Sequence, residues 1–202
     1  MPRRLESDVS TMVQMAEEHF ALQLASMSQT LQGLLPKHLQ IMGKWADKIL
    51  GMYPDANPEV VRVAVWFHDI GYVDCEDYDR DDHAVYSEVR ALQFLQANGY
   101  SQGKLEQVAH CVRAHRCKDI QPETIEAKII AVADSASHLT DYAYINLTQL
   151  GIKDYAMEKL ERDYRDVGLL PEVKQELSPL YEAWKQLLPQ FPDWKITDME
   201  GM

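Results

Sequence analysis

Four histidines and two aspartates stand out in this chain of 202 residues: His38, His68, Asp69, His83, His115 and Asp134. Each falls where an apolar helical pattern turns it inward. A buried imidazole or carboxylate is costly unless it is paired or binds a metal, so a series of them points to metal chemistry. Four imidazoles and two carboxylates suit Mn, Fe, Co, Ni or Zn, whereas Mg and Ca prefer all-oxygen shells. Six ligands exceed what one catalytic ion needs if it is to keep open positions. They suffice for two ions about 3.5–4 Å apart bridged by one carboxylate, so the expected cofactor is a divalent transition metal, two ions per chain.

Those side chains need helices to carry them. Nearly every segment has helical period, strand-like alternation is scarce, and Pro or Gly punctuates the gaps, so the expected fold is all-α. In the stretch VAVWFHDIGY, with Val61 just before it, Val61, Ala64, Val65 and His68 fall at i, i+3, i+4 and i+7, and Asp69 sits at the helix end. Gly71 is placed to terminate that helix in the left-handed conformation. Asn57 and Pro58 are a good cap and first residue for it. The preceding helix is expected to start near Pro36 and to put His38, Met42, Trp45 and Ile49 on one face. A fourth helix runs from His83 to Asn98-Gly99 with Ser87, Ala91 and Leu95 on the face of His83. The fifth, over about 102–116, lines up Leu105, Val108, Ala109, Val112 and His115. His110 falls instead on its polar face, with Glu106 and Arg113. The sixth opens at Pro122, is apolar on much of its circumference, and aligns Asp134 with Ala127, Ile130 and Ala131. His138, one turn later, reads as a residue behind the ligands or in the pocket.

Around this core, of about 30–142, the pattern predicts an N-terminal helix over about 8–32 and a C-terminal helical extension over about 150–190, all in one domain of residues 1–202. His19 lies off the apolar stripe of the first helix and reads as a surface histidine. The acidic loop Asp74 to Asp82 matches four EF-hand positions with Asp77, Asp79, Asp81 and Glu88, but its sixth position is Asp82 where a Gly is needed. It is therefore read as a solvated loop, or a lid, that caps the next helix. Beyond Thr140, Tyr155 to Tyr164 and Pro171 to Leu188 look amphipathic, with anchors Tyr164, Tyr181 and Trp184. Those stripes read as packing surface and are compatible with a homodimer. The ending FPDWKITDMEGM reads as a partly ordered tail.

Composition removes other classes. A net charge of -12 with no Lys/Arg cluster repels a phosphate backbone, so polymeric nucleic acid is not an expected partner. No apolar run approaches about 18 residues, and MPRRLESDV lacks the apolar core of a signal peptide, so no membrane is expected. Cys75, Cys111 and Cys117 are odd in number with no CxxC spacing and read as reduced thiols in a cytoplasmic protein.

The order His38, then His68-Asp69, then Asp134 resembles the HD superfamily of metal-dependent phosphohydrolases. The extended pattern with two further histidines matches His83 in HAVYSEVRA and His115 in VAHCVRAH, and IEAKIIAVADSASHL is similar to the family's last ligand helix. The resemblance implies that Asp69 bridges two ions, that His38, His68 and Asp134 complete one, and that His83 and His115 hold the other, with Asp69 and His68 at the catalytic centre. The implied reaction is hydrolysis of a phosphate ester or anhydride of a small molecule by a metal-bound hydroxide. Arg116 and Lys118, just after His115, are the nearest cations to steer an anionic substrate. The chain lacks the HHERxDGxGYP stretch of the cyclic-dinucleotide phosphodiesterases. Tyr72 stands where many members place a Lys after HDIG and where mononuclear deoxynucleotidases place a Glu. The six-ligand arrangement is similar to dinucleoside tetraphosphate hydrolases, which makes a nucleotide the first substrate expectation. A di-iron oxygenase and a non-catalytic metal-binding regulatory domain remain open, because the same ligands serve all three.

Overall fold

The computed structural model describes residues 10–75 and 83–192. Among them are nine α-helices, two short 3-10 turns and no strand. The helices are α1 (Thr11–Leu24), α2 (Gln29–Leu50), α3 (Pro58–Phe67), α4 (His83–Ala97), α5 (Gln102–Ala114), α6 (Ile125–Thr140), α7 (Ala143–Gln149), α8 (Lys153–Val167) and α9 (Pro171–Leu187). The expected all-α fold is what forms.

The centre of the molecule is α6. Ala127, Ile129, Ile130, Ala131, Val132, Ala133, Ala136 and Leu139 are buried on all its sides. Its alanines let neighbouring backbones come close, and α2, α3, α5, α8 and α9 all pack against it. The helix begins at Ile125, later than Pro122. The reason is local: the Thr124 hydroxyl accepts the Ala127 N–H, which sets the first turn there. Glu126 in that turn is buried and accepts the Asn57 N–H at 2.8 Å, tying the start of α6 to the start of α3. Asn57 itself caps α3 through Glu59 N and Val60 N, as its sequence predicts.

The N-terminal helix expected over 8–32 is two helices. Its first residues lie outside those described, and the break at 25–28 is made by Ser28, whose hydroxyl accepts the Leu31 N–H and restarts the chain as α2. The Gln32 amide closes the turn by donating to the Met27 carbonyl. Pro36 consequently sits inside α2 instead of opening it, and its missing N–H costs the helix one bond to the Gln32 carbonyl. His19 is also not a surface residue. It is half-buried and stacks on Phe94 with ring centroids 4.3 Å apart, and burial lowers its pKa.

Gly71 does not adopt the left-handed conformation; Gly99, after α4, does, at φ 71°. Gly71 lies in the 3-10 turn Ile70–Val73, and α4 crosses it closely. A Cβ there would overlap the His83 carbonyl oxygen and the Ser87 backbone nitrogen. The Gly71 N–H donates to the Ser87 hydroxyl at 2.8 Å, so absence of a side chain, not freedom of φ, is what this glycine supplies.

The C-terminal helices close over α6. The Trp184 indole donates to the Leu139 carbonyl, and the Tyr164 and Tyr181 rings stack 3.7 Å apart. Trp184 and Tyr181 are buried in the chain itself. The stripe is thus packing surface, as its pattern predicts. The short helix α7, which the sequence pattern misses, follows the Asp141 carboxylate accepting the Ala143 N–H and buries Tyr144 completely. At the head of the acidic loop Asp74 makes two contacts to the Arg90 guanidinium, 2.5 and 2.7 Å. The rest of that loop, 76–82, and the tail from residue 193 lie outside the described residues. Among those described, no helix is long and apolar enough to cross a membrane. Among the described residues no cysteine is in a disulfide.

Candidate metal centre

Five helices converge on one carboxylate. The Asp69 side chain leaves the end of α3 and is 8 % exposed. Its Oδ2 lies 3.2 Å from His68 Nε2 and 3.9 Å from His38 Nε2. Its other oxygen, Oδ1, lies 3.1 Å from His83 Nε2 and 3.7 Å from His115 Nε2. Within each pair the Nε2 atoms are 3.2 Å apart. Asp134, from the middle of α6, brings Oδ1 to 3.2 Å from His38 and 3.9 Å from His68. All six side chains anticipated as ligands are thus in one cluster, built on α2, α3, α4, α5 and α6. His110 is not among them; its ring accepts the Glu123 N–H at 3.1 Å elsewhere on α5.

Backbone carbonyls decide which ring nitrogen carries the proton. His68 Nδ1 is 2.9 Å from the Val65 carbonyl and His115 Nδ1 is 2.7 Å from the Val112 carbonyl. A carbonyl can only accept, so both rings donate from Nδ1 and turn Nε2 inward. His38 Nδ1 meets the Ser137 hydroxyl at 3.0 Å, and that hydroxyl donates to the Asp134 carbonyl at 2.7 Å, which leaves Nδ1 of His38 as the donor again. Each of these rings points a lone pair, when neutral, at other lone pairs and at carboxylates. Such a set of acceptors needs a cation. Ligands at about 2.1 Å from an octahedral ion lie about 3.0 Å apart when at right angles, close to the spacings of 3.1 and 3.2 Å here. Donor type and spacing therefore fit a divalent metal. Among the described residues, three groups of side chains could hold one: His38, His68 and Asp69; Asp69, His83 and His115; and His38, Asp134 and His138.

The electrostatics are lopsided. Burial by itself lowers the His68 imidazole, but Asp69 and Asp134 beside it, with the Val65 carbonyl, outweigh it and hold the pKa at about 9. His115 is pushed down to about 3 by burial and by the charges of His68 and His83. Burial disfavours the ionised forms of Asp69 and Asp134, yet the surrounding imidazoles hold both well below the usual carboxylate range.

A family model described as HD domain matches residues 37–138, half of the chain. The chain belongs to the HD domain family. The matched span opens one residue before His38 and closes on His138, so the HD domain contains the whole six-residue cluster. HD domains bind divalent metals and form a superfamily of metal-dependent hydrolases. No curated protein and no solved structure matches the chain.

Several side chains at the edge of the HD cluster have no place in the six-ligand pattern. Tyr72 stacks on the His83 ring, centroids 4.4 Å apart, where it covers that ring. Burial and the Asp69 charge push its hydroxyl well above the ordinary value, and Arg116 acts in the opposite direction. Arg116 is thus half-buried within electrostatic reach of the site, whereas Lys118, beyond the left-handed Cys117 (φ 52°), is exposed. His138 lies 3.6 Å from Asp134 Oδ1 and stacks on His38 at 5.0 Å. Behind it, α8 supplies Lys159 and Asp163. The stripe Ala156, Leu160, Asp163 and Val167 of α8 is buried, and a carboxylate on such a stripe is the signal that singles out Asp134 on α6.

Proposed function

We propose that this HD domain is a phosphohydrolase that cleaves a phosphate ester or anhydride of a small molecule, a nucleotide in the first instance. The observation that carries the reading is Asp69, whose two oxygens face two different histidine pairs. One ion would lie among His38, His68, Asp69 and Asp134, and a second among Asp69, His83 and His115. When bound by these residues, divalent ions would supply Lewis acidity toward the phosphoryl oxygens and a water activated near neutral pH. The chain's own part is positional. Asp69 fixes the spacing of the two sites, and Asp134 adds a second negative charge on one side only. Ser137 and the carbonyls of Val65 and Val112 aim the imidazoles, as partners behind metal ligands do. Arg116 supplies positive charge beside Tyr72 for an anionic substrate. Tyr72, in place of the Lys or Glu of other members, leaves no acid or base at that position near neutral pH. Three cysteines outside any disulfide suit a reducing, cytoplasmic setting.

The test is element-specific metal content per chain on tag-free protein, followed by a panel of nucleotides and phosphate monoesters assayed with Mn, Fe, Co, Ni or Zn. About two ions and phosphate release support the reading. Two irons with oxygen uptake and no phosphate release would replace it with oxygenase chemistry. Full occupancy with no turnover of either kind would leave a regulatory domain.

A further inference from the structure

His38, His68 and His115 all place their protons on Nδ1. His138 is arranged the other way round. Its Nδ1 lies 3.0 Å from the Lys159 ammonium, which can only donate. Lys159 is kept charged: burial opposes the charge, but Asp163, 3.2 Å away, and Asp134 outweigh it. Asp163 Oδ2 also lies 3.5 Å from Nδ1, a longer contact than that of Lys159, and takes the Tyr144 hydroxyl at 2.8 Å. Nδ1 of His138 is therefore an acceptor, and the ring proton sits on Nε2.

That nitrogen faces the metal centre. It is 3.6 Å from Asp134 Oδ1, too far for a full hydrogen bond, so its N–H is largely unspent. The side chain keeps 17 % of its surface, whereas His68 keeps none. A nitrogen that carries a proton cannot ligate. Without Lys159 the geometry would be that of a carboxylate–histidine–metal triad, with Asp163 taking the Nδ1 proton and Nε2 free to bind.

We propose that His138 is a hydrogen-bond donor to a phosphoryl oxygen of the substrate and not a metal ligand, and that Lys159, from outside the HD match, is the positioning residue that fixes its Nε2–H tautomer. The identity of the acceptor rests on the hydrolase reading; the tautomer does not. An imidazole N–H backed by an ammonium, aimed beside the metals, stabilises charge that grows on the substrate oxygens. The proton stays on the ring throughout.

Ring nitrogen-15 NMR on the full chain loaded with diamagnetic Zn is the direct test. The expected spectrum has His138 protonated on Nε2, with a shift of that signal when inorganic phosphate is added. Lys159→Met should move the proton to Nδ1. His138→Leu should lower kcat on the best phosphate ester about 100-fold with metal content unchanged, and His138→Gln, which keeps an N–H, should recover most of it. Wild-type His138 protonated on Nδ1, or loss of metal from His138→Leu equal to that from His38→Ala, would overturn the proposal. No turnover of any phosphate ester would remove the hydrolase reading, and the tautomer and metal content would still decide whether His138 is a donor or a ligand.

Discussion

The two sides of Asp69 are built from the same parts and are not equivalent. Toward α2 and α6 the carboxylate oxygen meets His38 and His68, and Asp134 adds a second negative charge at 3.2 Å from His38. Toward α4 and α5 the other oxygen meets His83 and His115, and among the described residues the metal-holding group on that side contains no further acid. One side attracts positive charge strongly enough to hold His68 at about 9; on the other His115 falls to about 3. If both sides hold an ion, as proposed above, the shared carboxylate would not make them equal, because the charge behind it would set the affinity of each.

The largest effect belongs to the shared atom pair. Asp69→Asn should empty both sites and lower hydrolysis at least about 1000-fold, read by metal content and phosphate release; retention of one full ion would show that the sides do not depend on a common bridge. Next come one-sided changes. His115→Ala should lose one ion per chain and keep the other, whereas Asp134→Asn should weaken the side of His38 and His68 first, and equal losses from both would erase the asymmetry.

A smaller effect separates the sides by protons. At pH 7.5 an ion entering beside His68 must displace a proton held at about 9, and His115 has none to give. Calorimetric titration in buffers of different ionisation enthalpy should therefore show proton release on the first binding step. The same group governs the metal-free protein. His68 titrates higher folded than unfolded, so its stabilisation is fully present below pH 6.5 and is lost as pH rises through about 9. The thermal midpoint of chelator-treated protein should fall over that window, and His68→Gln should flatten the fall. The smallest expected effect is that of His110→Ala, which should keep both ions.

Where the sequence carries periodicity and an inward ligand-type residue together, the centre was legible. His68 and Asp69 at the end of α3, His115 against His110 on α5, and Asp134 on α6 each fall where their helical stripes put them. What the pattern missed depends on distance in space. Nothing in residues near Lys159 tells that α8 packs on α6 beside His138, although the buried acid Asp163 on an apolar stripe was a usable signal. Pro36 misled because a proline marks a helix start only when no stronger cap lies upstream, and Ser28 is that cap. Gly71 misled for a related reason: a glycine after a helix is read as a turn-former, and here the neighbouring backbone of α4 requires it.

That close crossing works as a mechanical stop. Helix α4 can approach the turn after α3 only until the His83 carbonyl and the Ser87 nitrogen meet Gly71, so a hard contact, and not attraction between charges, sets how far His83 stands from Asp69.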